Sequence, residues 1–174
     1  INVSARTEDV RISVNTLARN YQATIDLVEE ILLEPRWDEK EFGLLKQSVI
    51  SQIRQQEANP NAIASNAYSK LLYGENNIRS RNILGSADSI NAITLDDLKA
   101  YYTKNLSPSV ARMNVVGALE KTSVSASLKD LSNKWKAKKV DLPAPTIINS
   151  TANTAKVYFV DVPDAKQSVL QIGY

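Results

Sequence analysis

The chain has 174 residues, of which 43% are hydrophobic and 23% charged, so it can bury a core and does not resemble a disordered segment. A formal net charge of +2, with both signs interspersed, argues against nucleic-acid binding. No apolar run approaches the roughly 18 residues of a membrane span. Because the chain contains neither cysteine nor histidine, disulfides, thiolate chemistry and histidine ligands are excluded within it.

The first part of the chain predicts a hairpin followed by a helix. Apolar and polar residues alternate over residues 1–5 and 10–14, on either side of a short polar segment. This is the pattern of two paired strands. Asn20 can then cap a helix, whose apolar residues recur at helical spacing until Pro35 stops it. The chain opens at Ile1 without a methionine, and we expect it to be a piece of a longer polypeptide.

Residues 33–57 predict the strongest helix of the chain. Asp38, followed three residues later by Glu41, is a capping-box pattern that marks its start. The predicted apolar stripe consists of Phe42, Leu45, Val49 and Ile53. Asn59-Pro60-Asn61 then breaks the chain, which fixes the end of this helix.

Shorter elements follow this break. One more helix is predicted to end at Gly74, and the polar residues 75–85 predict a loop. Thr94 and Asp97 form a second capping-box pattern at the start of a further helix. The apolar residues 110–117 predict a buried strand. A last amphipathic helix is marked by Val124, Leu128 and Leu131.

The composition changes at Lys138, which suggests a domain boundary. Residues 138–155 are rich in Pro, Ser, Thr and Asn and predict an extended linker. Beyond it, residues 156–162 and 168–174 predict strands, with a turn at Pro163-Asp164. We therefore divide the chain into an α+β module at residues 1–137, the linker at 138–155 and the first strands of a following module at 156–174.

Three segments together carry a family resemblance: LLEPRWDEKEF at residues 32–42, ILGSADSINAITLDDLKAYYTKNLSPS at residues 83–109 and MNVVG at residues 113–117. In this order and spacing they resemble the M16 zinc metallopeptidases, which include insulin-degrading enzyme, pitrilysin and the mitochondrial processing peptidase. The resemblance implies an α+β, two-layer fold in which helices pack on a mostly antiparallel sheet. The residues 156–174 resemble the start of the next homologous module.

The resemblance also locates a position that matters for metal binding. Catalytic M16 modules carry an inverted H-x-x-E-H motif and, on a later helix, a glutamate ligand. The resemblance puts this ligand position at Gln52 and a neighbouring family acid position at Leu45, seven residues apart on one helix face. Zn²⁺ prefers imidazole and carboxylate to a neutral amide. We therefore predict no metal ligand and no catalytic residue in this chain.

Other polar residues have simpler explanations than chemistry. Glu41 lies about 16 Å along the helix axis from Gln52, which is too far to replace it as a ligand. Glu29-Glu30 point in different directions as helix neighbours, so they are not a catalytic pair. Arg79 and Arg81 could contact a substrate or a partner module, but surface solubility in a loop is the better explanation of both.

The resemblance implies a non-catalytic module of an M16-type zinc metallopeptidase, which forms part of a peptide-binding chamber. The expected partners are a homologous M16 module, in the same polypeptide or in a partner chain, and a peptide substrate. Zinc is expected only in that partner or in an upstream module, and nucleic acid is not expected. The alternative is a structural or interaction module of a wholly inactive M16-like assembly. The substrate-binding residues stay open, as does the compartment, for which the resemblance suggests the bacterial envelope.

Overall fold

The computed structural model describes residues 1–144 and 155–173. These residues contain one two-stranded antiparallel sheet and six α-helices: β1 Asn2–Ala5, β2 Val10–Ser13, α1 Tyr21–Leu33, α2 Glu39–Glu57, α3 Pro60–Tyr73, α4 Ala87–Ala92, α5 Leu95–Asn105 and α6 Lys121–Lys134. The chain divides into a first compact unit, Ile1–Glu39 with Thr94–Pro143, and a second, Lys40–Ile93 with Ala144–Tyr174. The prediction of a mixed α and β chain is confirmed at this level.

The predicted hairpin opens the first unit. Strands β1 and β2 pair in a register that sets Val3 opposite Ile12, so alternating apolar residues share one face. The turn is closed by the Arg6 amide, which donates to the Asp9 carbonyl at 2.8 Å. Val3 is 51% exposed, so this apolar face is only partly covered by the described residues.

Helices α1 and α6 form the core of the first unit. Tyr21, Ile25 and Val28 lie on one face of α1 at helical spacing and are all buried. The Tyr21 hydroxyl lies 2.9 Å from the hydroxyl of Ser127, a buried residue of α6. An ion pair between Lys134 and Glu29 joins the same two helices nearer their C-terminal ends. The first unit is therefore held by a small apolar core with polar contacts beside it.

The predicted caps are confirmed in one case and corrected in another. At α5, the Asp97 amide donates to Thr94 Oγ1 at 3.2 Å and the Thr94 amide donates to Asp97 Oδ2 at 2.8 Å, which is the predicted capping box. Helix α1 does begin directly after Asn20, but the Asn20 side chain makes no capping hydrogen bond. The Asn20 carbonyl instead accepts from Thr24 Oγ1 at 2.8 Å, a bond one turn along the helix.

Aromatic side chains attach α5 to the end of α1. The Tyr102 hydroxyl donates to the carbonyl of Leu32, one of the last carbonyls of α1. The Trp37 ring meets the Tyr102 ring edge-on, with centroids 5.5 Å apart and planes at 78°. Tyr102 thus satisfies a free helix carbonyl while its ring packs against a second aromatic.

In the second unit, α2 and α3 begin and end near the predicted residues. Asn59 caps α3 by accepting hydrogen bonds from the amides of Asn61 and Ala62, with Pro60 at the first helical position. Gly74 ends α3 with φ of 75°, a conformation that favours glycine. Ile53 on α2 is the apolar residue of this unit with the smallest exposure, 2%. The predicted apolar stripe of α2 is wrong at Leu45, which is 58% exposed.

The predicted loop at residues 75–85 has an internal framework. It contains a 3-10 turn at Ile78–Ser80. Asn77 and Ser80 are buried there, and the Ser80 hydroxyl donates to the Asn77 carbonyl at 2.7 Å. The short helix α4, which follows the loop, was not predicted. Its start is a capping box between Ser86 and Ser89.

The predicted strand at residues 110–117 is wrong. The chain there forms a 3-10 turn, Pro108–Val110, and then an irregular segment in which Val116 is 99% exposed. The strands predicted at residues 156–162 and 168–174 are also wrong over residues 156–162 and 168–173, which are irregular. A strand needs a neighbour for its amides and carbonyls, and in the described part of the chain only β1 and β2 pair. Residue 174 and the linker residues 145–154 lie outside the described residues.

The turn predicted between those two runs is confirmed. Asp164 has φ of 62°, which aspartate tolerates better than most residues. The Ala165 amide donates to the Val162 carbonyl at 3.2 Å, closing the turn that contains Pro163. The described helices include none long and apolar enough to cross a membrane.

Candidate functional site on helix α2

The candidate site is the face of α2 that carries Leu45, Ser48 and Gln52. These residues are spaced three and four apart, so their side chains lie on one side of the helix. All three are exposed. The Gln52 amide nitrogen lies 3.4 Å from the Ser48 hydroxyl and donates a long hydrogen bond to it. The face is therefore accessible, and its polar groups are one amide and one hydroxyl.

These groups do not fit a zinc ion. Structural and catalytic zinc sites take three or four ligands from histidine, cysteine and carboxylate side chains. Within residues 1–144 and 155–173, no group of three or more such residues is placed to hold a metal. Glu41, the carboxylate considered from the sequence, lies near the start of α2, eleven residues from Gln52 and about 16 Å along the axis. The sequence argument against Glu41 as a substitute ligand therefore holds in the helix as observed.

A lysine missed by the sequence analysis anchors α2 to α4 within the second unit. The Lys46 ammonium donates to the carbonyls of Asn91 and Ile93, each at 2.8 Å. These carbonyls lie at the C-terminal end of α4, where the helix dipole favours a positive charge. The same ammonium lies 5.4 Å from the centroid of the Phe42 ring. Because its main partners are backbone atoms, no residue pattern in the sequence indicates this contact.

A second contact orients α2 from its C-terminal half. The Asn82 side-chain nitrogen Nδ2 donates to Gln56 Oε1 at 2.9 Å, and Asn82 Oδ1 accepts from the Leu84 backbone amide at 3.0 Å. The loop at residues 75–85 is thereby attached to α2. Together with Lys46, this contact fixes the rotation of α2 within its unit and leaves Leu45 and Gln52 facing outward.

The two arginines considered from the sequence lie close to α3. The Arg79 guanidinium lies 5.9 Å from the centroid of the Tyr73 ring, which is within the range of a cation–π contact. Arg79 and Arg81 are both exposed.

Two groups of the first unit have displaced pKa values, and both are explained by structural contacts. The hydrogen bonds that Asp97 accepts from the Thr94 hydroxyl and amide hold the pKa of that carboxyl below its ordinary value. The Glu29 carboxylate, which accepts a hydrogen bond from Lys134, raises the pKa of that ammonium. Asp97 caps a helix and Lys134 joins two helices, so neither shift indicates catalysis.

Comparison with known proteins supports the M16 resemblance. The family model of the peptidase M16 inactive domain matches residues 92–174. A solved structure, the peptidase M16 inactive domain from Pseudomonas fluorescens, superposes with a TM-score of 0.62 at 25% identity, covering 72% of this chain and 31% of that one. Residues 92–174 are therefore similar to the inactive domain of M16 peptidases, and the fold is similar to that of a solved M16 inactive domain.

Two curated relatives of this chain carry different descriptions. An uncharacterised zinc protease of Streptomyces coelicolor is 23% identical over 100 residues, which is 58% of this chain and 22% of the relative. The non-peptidase homolog YmxG of Helicobacter pylori is 27% identical over 104 residues, 60% of this chain and 24% of the relative. The matched region thus spans about a quarter of each relative. One of these relatives is thus described as a zinc protease and the other as a non-peptidase homolog.

The similarity to M16 proteins leaves two of the sequence predictions open. The correspondence of Gln52 and Leu45 with the family's acid positions stays a prediction, although their exposed position on one face of α2 is now known. The boundaries at residues 137 and 155 also stay predictions. The match to the inactive domain runs from residue 92 to residue 174 and so extends across both boundaries.

Proposed function

We propose that this chain is a non-catalytic module of an M16-type zinc metallopeptidase and forms part of the wall of a peptide-binding chamber. The observation that carries the proposal is the match of residues 92–174 to the peptidase M16 inactive domain. The chemistry of the α2 face supports it, because Leu45 and Gln52 supply no carboxylate where the family resemblance expects one. Zinc, held by a homologous partner module, would polarise the scissile carbonyl and activate water.

The exposed apolar segments support a larger sheet in the intact protein. Val116, Val157 and Phe159 are 99%, 96% and 89% exposed, and each lies in a segment with the composition of a strand. Apolar side chains in such segments gain free energy when strand pairing buries them. In the proposed two-layer module these segments join a mostly antiparallel sheet on which the helices pack. An edge of that sheet binds an extended peptide through backbone hydrogen bonds.

A second function, in a wholly inactive M16-like assembly, is favoured by one relative. YmxG of Helicobacter pylori, described as a non-peptidase homolog, is 27% identical over the matched region. In such an assembly this chain would serve structure or interaction, and no module would hold zinc. The two functions make the same prediction for the isolated chain and differ only for the intact assembly.

The discriminating experiment uses the intact protein, with any associated M16 subunit. Zinc content is measured by mass spectrometry and cleavage is followed with a quenched fluorescent peptide library. The chamber proposal predicts zinc and cleavage, both lost when the glutamate of an H-x-x-E-H motif in the partner module is replaced by glutamine. Absence of both zinc and cleavage from the unaltered assembly would instead establish the inactive alternative.

Variants of this chain test its own contribution. Gln52→Ala is expected to leave the zinc content of the assembly unchanged, because a neutral amide is not the ligand. Gln55→Ala, at another exposed glutamine of α2, is the matched control. Loss of zinc in Gln52→Ala with retention in Gln55→Ala would identify Gln52 as a ligand and contradict the proposal.

A further inference from the structure

A group of hydrogen bonds in the first unit ties the turn after α5 to a residue beyond α6. Ser107, which is 2% exposed, and Ser109 flank Pro108 in this turn. The Ser107 hydroxyl donates to the Lys138 carbonyl at 2.9 Å and accepts from the Lys138 amide at 3.0 Å. The Ser109 hydroxyl donates to the same carbonyl at 2.6 Å. We call these contacts the serine clasp.

The hydrogen-bonding capacity of the Ser107 hydroxyl is fully used. A serine hydroxyl has one proton and two lone pairs. At Ser107 the proton goes to the Lys138 carbonyl, while the lone pairs accept from the amides of Lys138 and Ser109. Lys138 thus has both backbone polar groups bonded although it lies in no helix or strand. Two side chains take the role that a neighbouring strand would otherwise have.

The position of the clasp gives it a conformational role. Helix α6 ends at Lys134, so the chain remains attached to the first unit four residues beyond the helix. The contact joins residues 31 apart in sequence, and the segment between them includes the whole of α6. Lys138 is also the residue at which the composition begins to resemble a linker.

We propose that the serine clasp is what holds the chain against the first unit after helix α6 has ended. This role is independent of the proposed chamber function, because it depends only on contacts within the first unit. Loss of the clasp would release the backbone of Lys138 from the unit. The four residues after Lys134 would then no longer be held against the unit.

Amide hydrogen exchange followed by NMR tests the clasp residue by residue. Ser107→Ala removes the acceptor of the Lys138 amide, and we expect exchange at that amide to accelerate about tenfold or more. Ser109→Ala keeps this acceptor and removes one donor to the carbonyl, so a smaller acceleration is expected. Ser132→Ala, which removes an exposed bond from a serine hydroxyl to the Lys129 carbonyl within α6, is the matched control and should not change exchange at Lys138.

The result must be local to support the proposal. Amides of α1 serve as the internal reference, since exchange there reports opening of the whole unit. If Ser107→Ala loosens the entire unit, Ser109→Ala still tests the proposal. The Ser109 hydroxyl is exposed, so its removal leaves no buried polar group unpaired. Two results would overturn the proposal. One is that exchange at the Lys138 amide in Ser109→Ala equals that in the unaltered protein. The other is that exchange at this amide rises in both variants only in parallel with exchange at the α1 amides.

Discussion

Replacing Ser127 with alanine should destabilise the first unit more than replacing Tyr21 with phenylalanine. The Ser127 hydroxyl donates to the Val124 carbonyl at 2.9 Å. Its oxygen therefore accepts from the Tyr21 hydroxyl, which lies 2.9 Å away in a buried contact between α1 and α6. The two substitutions remove opposite ends of this bond and leave different groups behind.

The free energies follow from what remains in each variant. Tyr21→Phe removes the donor while Ser127 keeps its bond to Val124, which costs about 0.5–1.5 kcal/mol, the net worth of one hydrogen bond. Ser127→Ala leaves the buried Tyr21 hydroxyl without this partner, which costs about 1–3 kcal/mol. In the double variant no hydroxyl remains unpaired at this contact, so its cost should fall below the sum of the single effects by roughly 1 kcal/mol.

Urea unfolding followed by far-UV circular dichroism measures these differences by linear extrapolation. Ser132→Ala, at an exposed serine of the same helix, is the control and should change the free energy of unfolding by less than about 0.5 kcal/mol. The hydrogen-bond assignment would be refuted if the two single substitutions lowered the free energy of unfolding equally and the double variant lowered it by the sum of the two. The polar contact would then contribute nothing beyond packing.

The remaining predictions concern one titrating cap and one lysine anchor. Because Thr94 holds the pKa of Asp97 below its ordinary value, this carboxylate stabilises the fold above the unfolded pKa of about 4, and the stabilisation is lost as pH falls through the lower folded pKa. Urea unfolding should therefore show that the unaltered protein has a larger free energy of unfolding than Asp97→Asn at neutral pH, and that this difference diminishes on acidification. A difference that does not depend on pH would contradict this prediction. Lys46→Met should loosen α4 by about 1 kcal/mol, seen as faster amide exchange there with α3 unchanged. The exposed Lys40→Met is the control, and unchanged exchange in α4 would show that the Lys46 contact contributes nothing.

The helix boundaries were predictable because their signals are local. The Thr94–Asp97 capping box, the Asn59 cap and the stop at Gly74 each depend on residues within one turn of the chain. Two of the predictions show the limit of such signals. Asn20 precedes α1 without bonding as a cap, and Leu45 is exposed despite its place in the apolar stripe.

What could not be predicted depends on distant parts of the chain or on very short elements. Helix α4 has six residues, fewer than two turns, so no apolar period can mark it. The contacts of Lys46 and Ser107 reach backbone groups 45 and 31 residues away, and a backbone group carries no sequence signal. The run at residues 110–117 has the composition of a strand, but composition records a tendency to be buried, and strand formation also needs a partner.

That Leu45 and Gln52 share a helix face was predictable, and the contacts around that face were not. The spacing of Leu45 and Gln52 placed them on one helix face, and the observed helix agrees. The contacts that orient this face, from Lys46 and Gln56, had no counterpart in the sequence analysis. The correspondence of Leu45 and Gln52 with the family's acid positions stays a prediction, while the contacts that hold their helix had to be observed.

The zinc content of this chain, measured by inductively coupled plasma mass spectrometry after dialysis against trace zinc, tests the central claim most directly. The face of α2 supplies an amide and a hydroxyl and no carboxylate at Leu45 or Gln52, so we predict no stoichiometric zinc and no peptide cleavage by the chain alone. One tightly bound zinc per chain that is lost on Gln52→Ala, and retained in Gln55→Ala, would contradict the assignment of a non-catalytic module.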